Sequence, residues 1–213
     1  MGSPWCEIYG FLKDWQTLIG ALIALIAAIL TIRVMRRQAS DENTRHENQL
    51  KRKEMAARAQ MPDALSEMIA YIRASGEYLT GQSAEPPEQP LSAITTLKQV
   101  IEHIDDKAAQ RTFELVSWYQ VQRVRMMAEA PPQAEPERGE RLYDAVLLQA
   151  YANSLFDYAR NEATTAPTEK PSFEDMITAY KNTFTLIYTV QNEQQFEGML
   201  AAIERRHKAL AAA

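Results

Sequence analysis

From Leu18 to Ile32 the chain reads LIGALIALIAAILTI, 15 residues without a charge. A globular helix of that length carries a polar face, and this one has none. Trp15, Gln16 and Thr17 precede the run, and Arg33, Val34 and Met35 follow it, which extends it to residues 15–35. At about 1.5 Å per residue such a helix covers roughly 30 Å, the thickness of a bilayer's hydrocarbon core. Arg33 at the edge can reach the headgroups along its aliphatic stem. The lipid bilayer is therefore the first partner the sequence predicts.

The flanks set an expected orientation. Trp15 is placed as an interfacial anchor, because an amphipathic indole is favoured at the headgroup level. Arg33, Arg36 and Arg37 crowd the other end, and basic residues stay on the cytoplasmic side. The expectation is a single pass through an inner (cytoplasmic) membrane, N-terminus outside and C-terminus cytoplasmic. A cleaved signal peptide carries its positive charge before the apolar run. Here Glu7, Lys13 and Asp14 precede it and the arginines follow, which favours an anchor that is retained.

Residues 1–14 are read as a short external tail. Trp5, Ile8, Tyr9, Leu12 and Trp15 recur at helical spacing. Either an amphipathic turn in the outer interface or a helix extension against a partner explains them. Cys6, the one cysteine, excludes an intrachain disulfide and any multi-cysteine metal cluster. Within the anchor, Gly20, Ala24 and Ala28 form a small-residue face at four-residue intervals, a candidate surface for helix–helix association and a homo-oligomer.

Residues 36–61 are rich in Arg, Lys, Glu, Gln and Ala, all good helix formers. Leu50 and Met55 are nearly isolated apolar positions, so no coiled-coil seam runs here. The segment is predicted to be a charged, solvated helical connector that ends at Pro62, where the missing N–H breaks a helix interior and suits the first turn of a new one.

Residues 62–213 read as a cytoplasmic helical domain. Leu65, Met68, Ile69, Ile72 and Leu79 form one stripe, and GQSAEPPEQP (81–90) forms a loop. Ile94, Leu97, Ile101, Ile104, Ala108, Leu115 and Trp118 make a second stripe. Asp105 and Asp106 within it suit an N-cap, so residues 91–127 form either one long helix or two. Residues 126–139 hold three prolines and are predicted as a loop. Residues 140–162 are apolar nearly all round, as in a central helix. Ser172 with Asp175 and Asn192 with Gln195 resemble capping boxes for two further helices. No stretch alternates with period two. The expected fold is all-α: a transmembrane helix continuing into the connector, then an antiparallel bundle.

Charge separates these parts. Residues 33–60 carry eight basic and four acidic side chains, whereas residues 61–213 carry 14 basic and 22 acidic ones. An acidic domain does not suit nucleic acid as partner, since phosphate binding requires a basic footprint.

No site chemistry converges in the sequence. The histidines are His46, His103 and His207. Glu204 and His207 match one half of a Glu-x-x-His di-iron motif, but Asn43 and Val100 stand where the other two histidines would need a glutamate. His103 and Asp106 form an i,i+3 pair, explained equally by helix capping. Trp118 and Tyr119 beside Arg111, Arg123 and Arg125 could stack an anionic ligand or form a core rim. There is no phosphate-binding glycine loop and no nucleophile elbow. The expectation is a protein without catalytic residues, cofactor or metal, serving as an interaction or assembly platform. The alternative is an anchored enzyme or small-molecule sensor with a pocket between bundle helices.

Overall fold

A computed structural model describes residues 4–127, 135–184 and 193–211, and every described element is helical. The chain divides into two compact units, residues 1–51 and 52–213. The first helix, α1, spans Pro4–Leu79 and contributes to both. It is followed by α2 (Leu91–Val100), α3 (Asp106–Met127), α4 (Glu135–Asn153), a single turn α5 (Phe156–Ala159), α6 (Phe173–Thr183) and α7 (Glu193–Ala211).

In the first unit, no described residue from Leu18 to Leu50 is buried. Leu22, Ile26, Ile29 and Leu30 are each about half exposed. Side chains on all sides of this stretch lack a protein environment, as the absence of a polar face predicts.

In the second unit, the sequence expectation of a break at Pro62 is corrected. The helix runs through it. Proline costs one backbone hydrogen bond and a clash with the preceding turn. Burial on both sides of it offsets that cost: Ala57, Met61, Ala64, Leu65, Met68 and Ile72 form one continuous buried stripe across the proline. The last turn of the charged connector is thus already core.

Asp105 decides the question left open for residues 91–127. Its carboxylate accepts the backbone N–H groups of Lys107 (3.1 Å) and Ala108 (3.3 Å), capping α3 and separating it from α2. The third helix begins earlier than composition predicts, at Glu135, with Pro136 in its first turn where proline is tolerated. Every residue from Leu142 to Ala152 is buried, so α4 is the central helix. It packs on α3, α6 and α7. Ser172 caps α6 in the expected box: its Oγ accepts the Asp175 N–H while the Asp175 carboxylate accepts the Ser172 N–H. The expected box at Asn192 lies outside the described residues, as do Ile187 and Tyr188 of the α6 stripe.

Gly76 marks a close approach within the core. A Cβ there would lie 3.0 Å from Thr183 Cγ2 and 3.3 Å from the Phe184 ring. Thr183 cannot swing away easily: it is buried and its hydroxyl donates to the Ala179 carbonyl at 2.9 Å. Gly76→Ala gains helix propensity of about 1 kcal/mol but overpacks this contact by roughly 1–3 kcal/mol. The expected outcome is a net loss of about 1 kcal/mol in urea unfolding of the domain. A midpoint equal to or above wild type would show that Thr183 and Phe184 yield.

Candidate functional site

Two features of the helical domain could serve function: a cleft walled by the loop after α5, and an uncovered face of α3.

The cleft, about 460 Å³, lies between the end of α4, the α5 turn, the start of α6 and the loop 160–171. That loop is short of apolar residues and is held by side chains reaching out of the helices. Arg58 on α1 donates to the Tyr158 carbonyl (2.6 and 3.1 Å) and to the Ala163 carbonyl (2.8 Å). Its guanidinium lies 4.1 Å from the centre of the Tyr158 ring. Arg111 on α3, only 2% exposed, donates from Nε to the Pro167 carbonyl at 2.9 Å and from a terminal nitrogen to the Glu169 carbonyl. It also pairs with Glu114 at 3.3 Å and lies over the Tyr151 ring. Thr165 donates to the Asp105 carboxylate at 2.8 Å. The Tyr158 hydroxyl accepts the Asp105 N–H at 3.0 Å. Asn161, with φ of 65°, turns the chain out of α5 into this loop.

These bonds occupy Arg111 and Thr165 of the cleft's lining, while Asp157 stays exposed on it. Burial pushes the Asp105 carboxyl upward, but hydrogen bonds from Thr165 and the Ala108 and Lys107 N–H groups outweigh it and hold the carboxyl below its ordinary 3.8. A depressed folded value means stability that is present above 3.8 and lost as pH falls through the folded value. Asp105→Asn keeps a capping oxygen but does not titrate. The expected result is a wild-type advantage in urea midpoint at pH 6 that shrinks at pH 3 and below. A constant difference across that range would remove the charge from the cap's role.

A second polar group is buried between α3, α4 and α7. Asp144, 1% exposed, pairs with Arg125 and, at 3.3 Å, with Arg206. Burial pushes its carboxyl above the ordinary range despite both arginines. Arg206 also lies over the Tyr143 ring, 4.6 Å from its centre. This cluster ties α7 to α4.

The residues singled out in the sequence are dispersed. His46 is exposed on α1, His103 is exposed between α2 and α3, and His207 packs its ring against Phe173. Glu204 pairs with Lys208, not with a site. Among the described residues no three His, Cys, Asp or Glu side chains group to hold a metal. Tyr119 is core, edge-on to Tyr71 at 5.4 Å. The Tyr71 hydroxyl donates to Gln122 at 2.7 Å, and burial pushes its pKa up to about 12. Arg111 stacks on Tyr151 inside the core and Trp118 packs against it, whereas Arg123 is half-buried and Arg125 exposed.

In the first unit, Trp15, Gly20, Ala24, Ala28, Arg33, Arg36 and Arg37 are all exposed on α1. Among the described residues α1 is the one helix long and apolar enough to cross a membrane.

Sequence reasoning missed the uncovered face of α3. Phe113, Val121 and Val124 share one side of that helix with Gln110, Glu114, Ser117 and Gln120. Phe113 is 58% and Val124 68% exposed. The signal was present as apolar residues out of phase with the Ala108–Leu115–Tyr119 stripe, but which of two stripes faces a core is set by the neighbours. Comparison with known protein families, with functionally described proteins and with solved structures gives no match.

Proposed function

We propose that the chain is a non-enzymatic single-pass protein of an inner (cytoplasmic) membrane, with its N-terminus outside and its helical domain in the cytoplasm as an interaction or assembly platform. The observation that carries this reading is the contrast between the domain's two surfaces. Arg111 and Thr165 in the cleft lining are spent on bonds that hold the loop 160–171, whereas α3 leaves Phe113, Val121 and Val124 exposed. The exposed apolar run and the arginines at 33, 36 and 37 support the anchor and its orientation. Gly20, Ala24 and Ala28 supply a surface on which two anchors could pack.

The test uses the full chain extracted in mild detergent from its own membrane. Proteins recovered with the wild type, a second copy included, should be lost with Phe113→Asp/Val124→Asp. Recovery unchanged by that pair sinks the platform on α3. A reporter after Ala213 should be cytoplasmic, and its accessibility to external protease in intact cells reverses the orientation.

The cleft supports the second reading, an anchored small-molecule sensor or enzyme, through its volume alone. A metabolite that raises the domain's melting temperature, and ceases to do so in Asp157→Ala/Asp175→Ala, would favour it over the platform.

A further inference from the structure

We infer that Arg33, Arg36 and Arg37 form a headgroup site on α1 that recruits anionic phospholipid at the cytoplasmic edge of the membrane. This rests on reading residues 15–35 as a membrane span and names the lipid chemistry that the anchor selects.

The placement of the three guanidinium groups is the first argument. At about 1.5 Å per residue they lie within roughly 6 Å along the axis of α1, and at about 100° per residue they share an arc of roughly 100°. All three are exposed, and among the described residues none of them enters an ion pair. Ser40 and Thr44 continue this face without charge, while Asp41 falls at its edge and Glu42 on the opposite side of the helix. Arg33 and Arg37 are a like-charge pair four residues apart, an arrangement that costs a solvated helix stability. A phosphate between them replaces that repulsion with charge-assisted hydrogen bonds, because a guanidinium presents a planar fork that fits phosphate oxygens.

The position of the arginines along α1 is the second argument. Ile32, Val34 and Met35 interleave with them and are each more than half exposed. With residues 15–35 in the hydrocarbon, the three side chains reach the level of the lipid phosphates. The apolar run thus delivers them to a surface where lipid phosphate is dense, which makes the lipid the occupant and not free phosphate. The other end of the run has no such face, since Glu7, Lys13 and Asp14 precede it. A zwitterionic headgroup balances its phosphate with its own ammonium, whereas phosphatidylglycerol keeps a net negative charge. Attraction to anionic lipid is worth about a five-fold preference per basic residue near the surface.

The experiment compares two lipids at the two ends of the anchor. Full-length chain with Cys6→Ser carries a bimane fluorophore through Val34→Cys, beside the arginines, or through Gln16→Cys, at the far edge. It is reconstituted into phosphatidylcholine vesicles that hold the same low fraction of doxyl-labelled phosphatidylglycerol or doxyl-labelled phosphatidylcholine, the doxyl group high on the acyl chain. Flotation of the vesicles is measured on the same samples. At position 34, quenching by the phosphatidylglycerol label should exceed that by the phosphatidylcholine label at least about three-fold. At position 16 the two should quench equally. Arg33→Gln/Arg36→Gln/Arg37→Gln should bring the two lipids level at position 34 and leave quenching by phosphatidylcholine unchanged, which fixes the depth of the helix. A chain that co-floats yet is quenched equally by both lipids at 34, or keeps its excess in the glutamine variant, overturns the site and leaves the anchor standing. The same excess at position 16 also overturns it. A chain that does not co-float overturns the anchor and the site together. An excess that disappears in inorganic phosphate, but not in sodium chloride of equal ionic strength, makes free phosphate the occupant and overturns the lipid.

Discussion

Replacing Leu22 and Ile26 together by arginine is expected to move the full chain out of the membrane fraction. The two positions share one face of α1, both are about half exposed and neither has a protein neighbour that could accept a charge. An arginine at the centre of a membrane helix costs roughly 2.5–3.5 kcal/mol on insertion scales, so two cost about 5–7 kcal/mol. That corresponds to about four to five decades in the partition equilibrium. Snorkelling rescues a charge near a helix end, as at Arg33, but not at mid-run. The measurement is the share of protein that resists alkaline carbonate extraction, beside a Leu22→Ala/Ile26→Ala control that remains in the membrane. An arginine pair retained as well as the alanine pair would mean that residues 15–35 do not span lipid. The helical domain should fold in both variants, since the two units are separately compact.

Arg111→Ala is expected to be the most damaging single change in the domain, at about 3–5 kcal/mol. Arg111 is among the largest fully buried side chains, and its loss acts in three ways. Two loop carbonyls, of Pro167 and Glu169, lose a charged donor. Glu114 loses its ion partner. The Tyr151 ring faces a cavity in place of a guanidinium. For a domain of this size, each kcal/mol shifts the melting temperature by roughly 2–4 °C, so the expected drop is about 6–20 °C. Arg111→Met retains the stem and should recover part of the loss. The distinguishing readout is hydrogen exchange. Protection in the loop 160–171 should fall first, before that of α4, because the arginine holds loop carbonyls and not the central helix. Uniform loss across the domain would show that Arg111 acts only through core volume.

Much of the architecture was legible in side-chain spacing. The uncharged run at 18–32 leaves no polar face, and that alone dictates a helix apolar on all sides. The all-helical domain follows from stripes of period near 3.6 and the scarcity of period-two alternation. The α6 cap was readable because its donors and acceptors lie within four residues of sequence. Local signals of this kind survive folding because local geometry satisfies them.

What the sequence did not reveal is where distant segments meet. Pro62 reads as a helix break by its own chemistry, and only the burial of Met61 and Leu65 on a shared core overrides it. In sequence Arg111 reads with Arg123 and Arg125 either as an anion-stacking surface or as a rim over core aromatics. Its burial depends on a loop more than fifty residues away, whose Pro167 and Glu169 carbonyls accept from it. Asp144 likewise lies in an apolar run, and its two arginines come from helices on opposite sides in sequence. Phe113 and Val124 could belong to a core or to a surface, because amphipathic spacing defines a face but not what covers it. By itself the sequence determined a long apolar helix, a helical domain and local caps, because each depends on neighbours a turn away. Tertiary structure alone decided which arginines are buried, which aspartate is enclosed and which apolar face is left open, because those depend on long-range packing in which a single helix has several faces to offer.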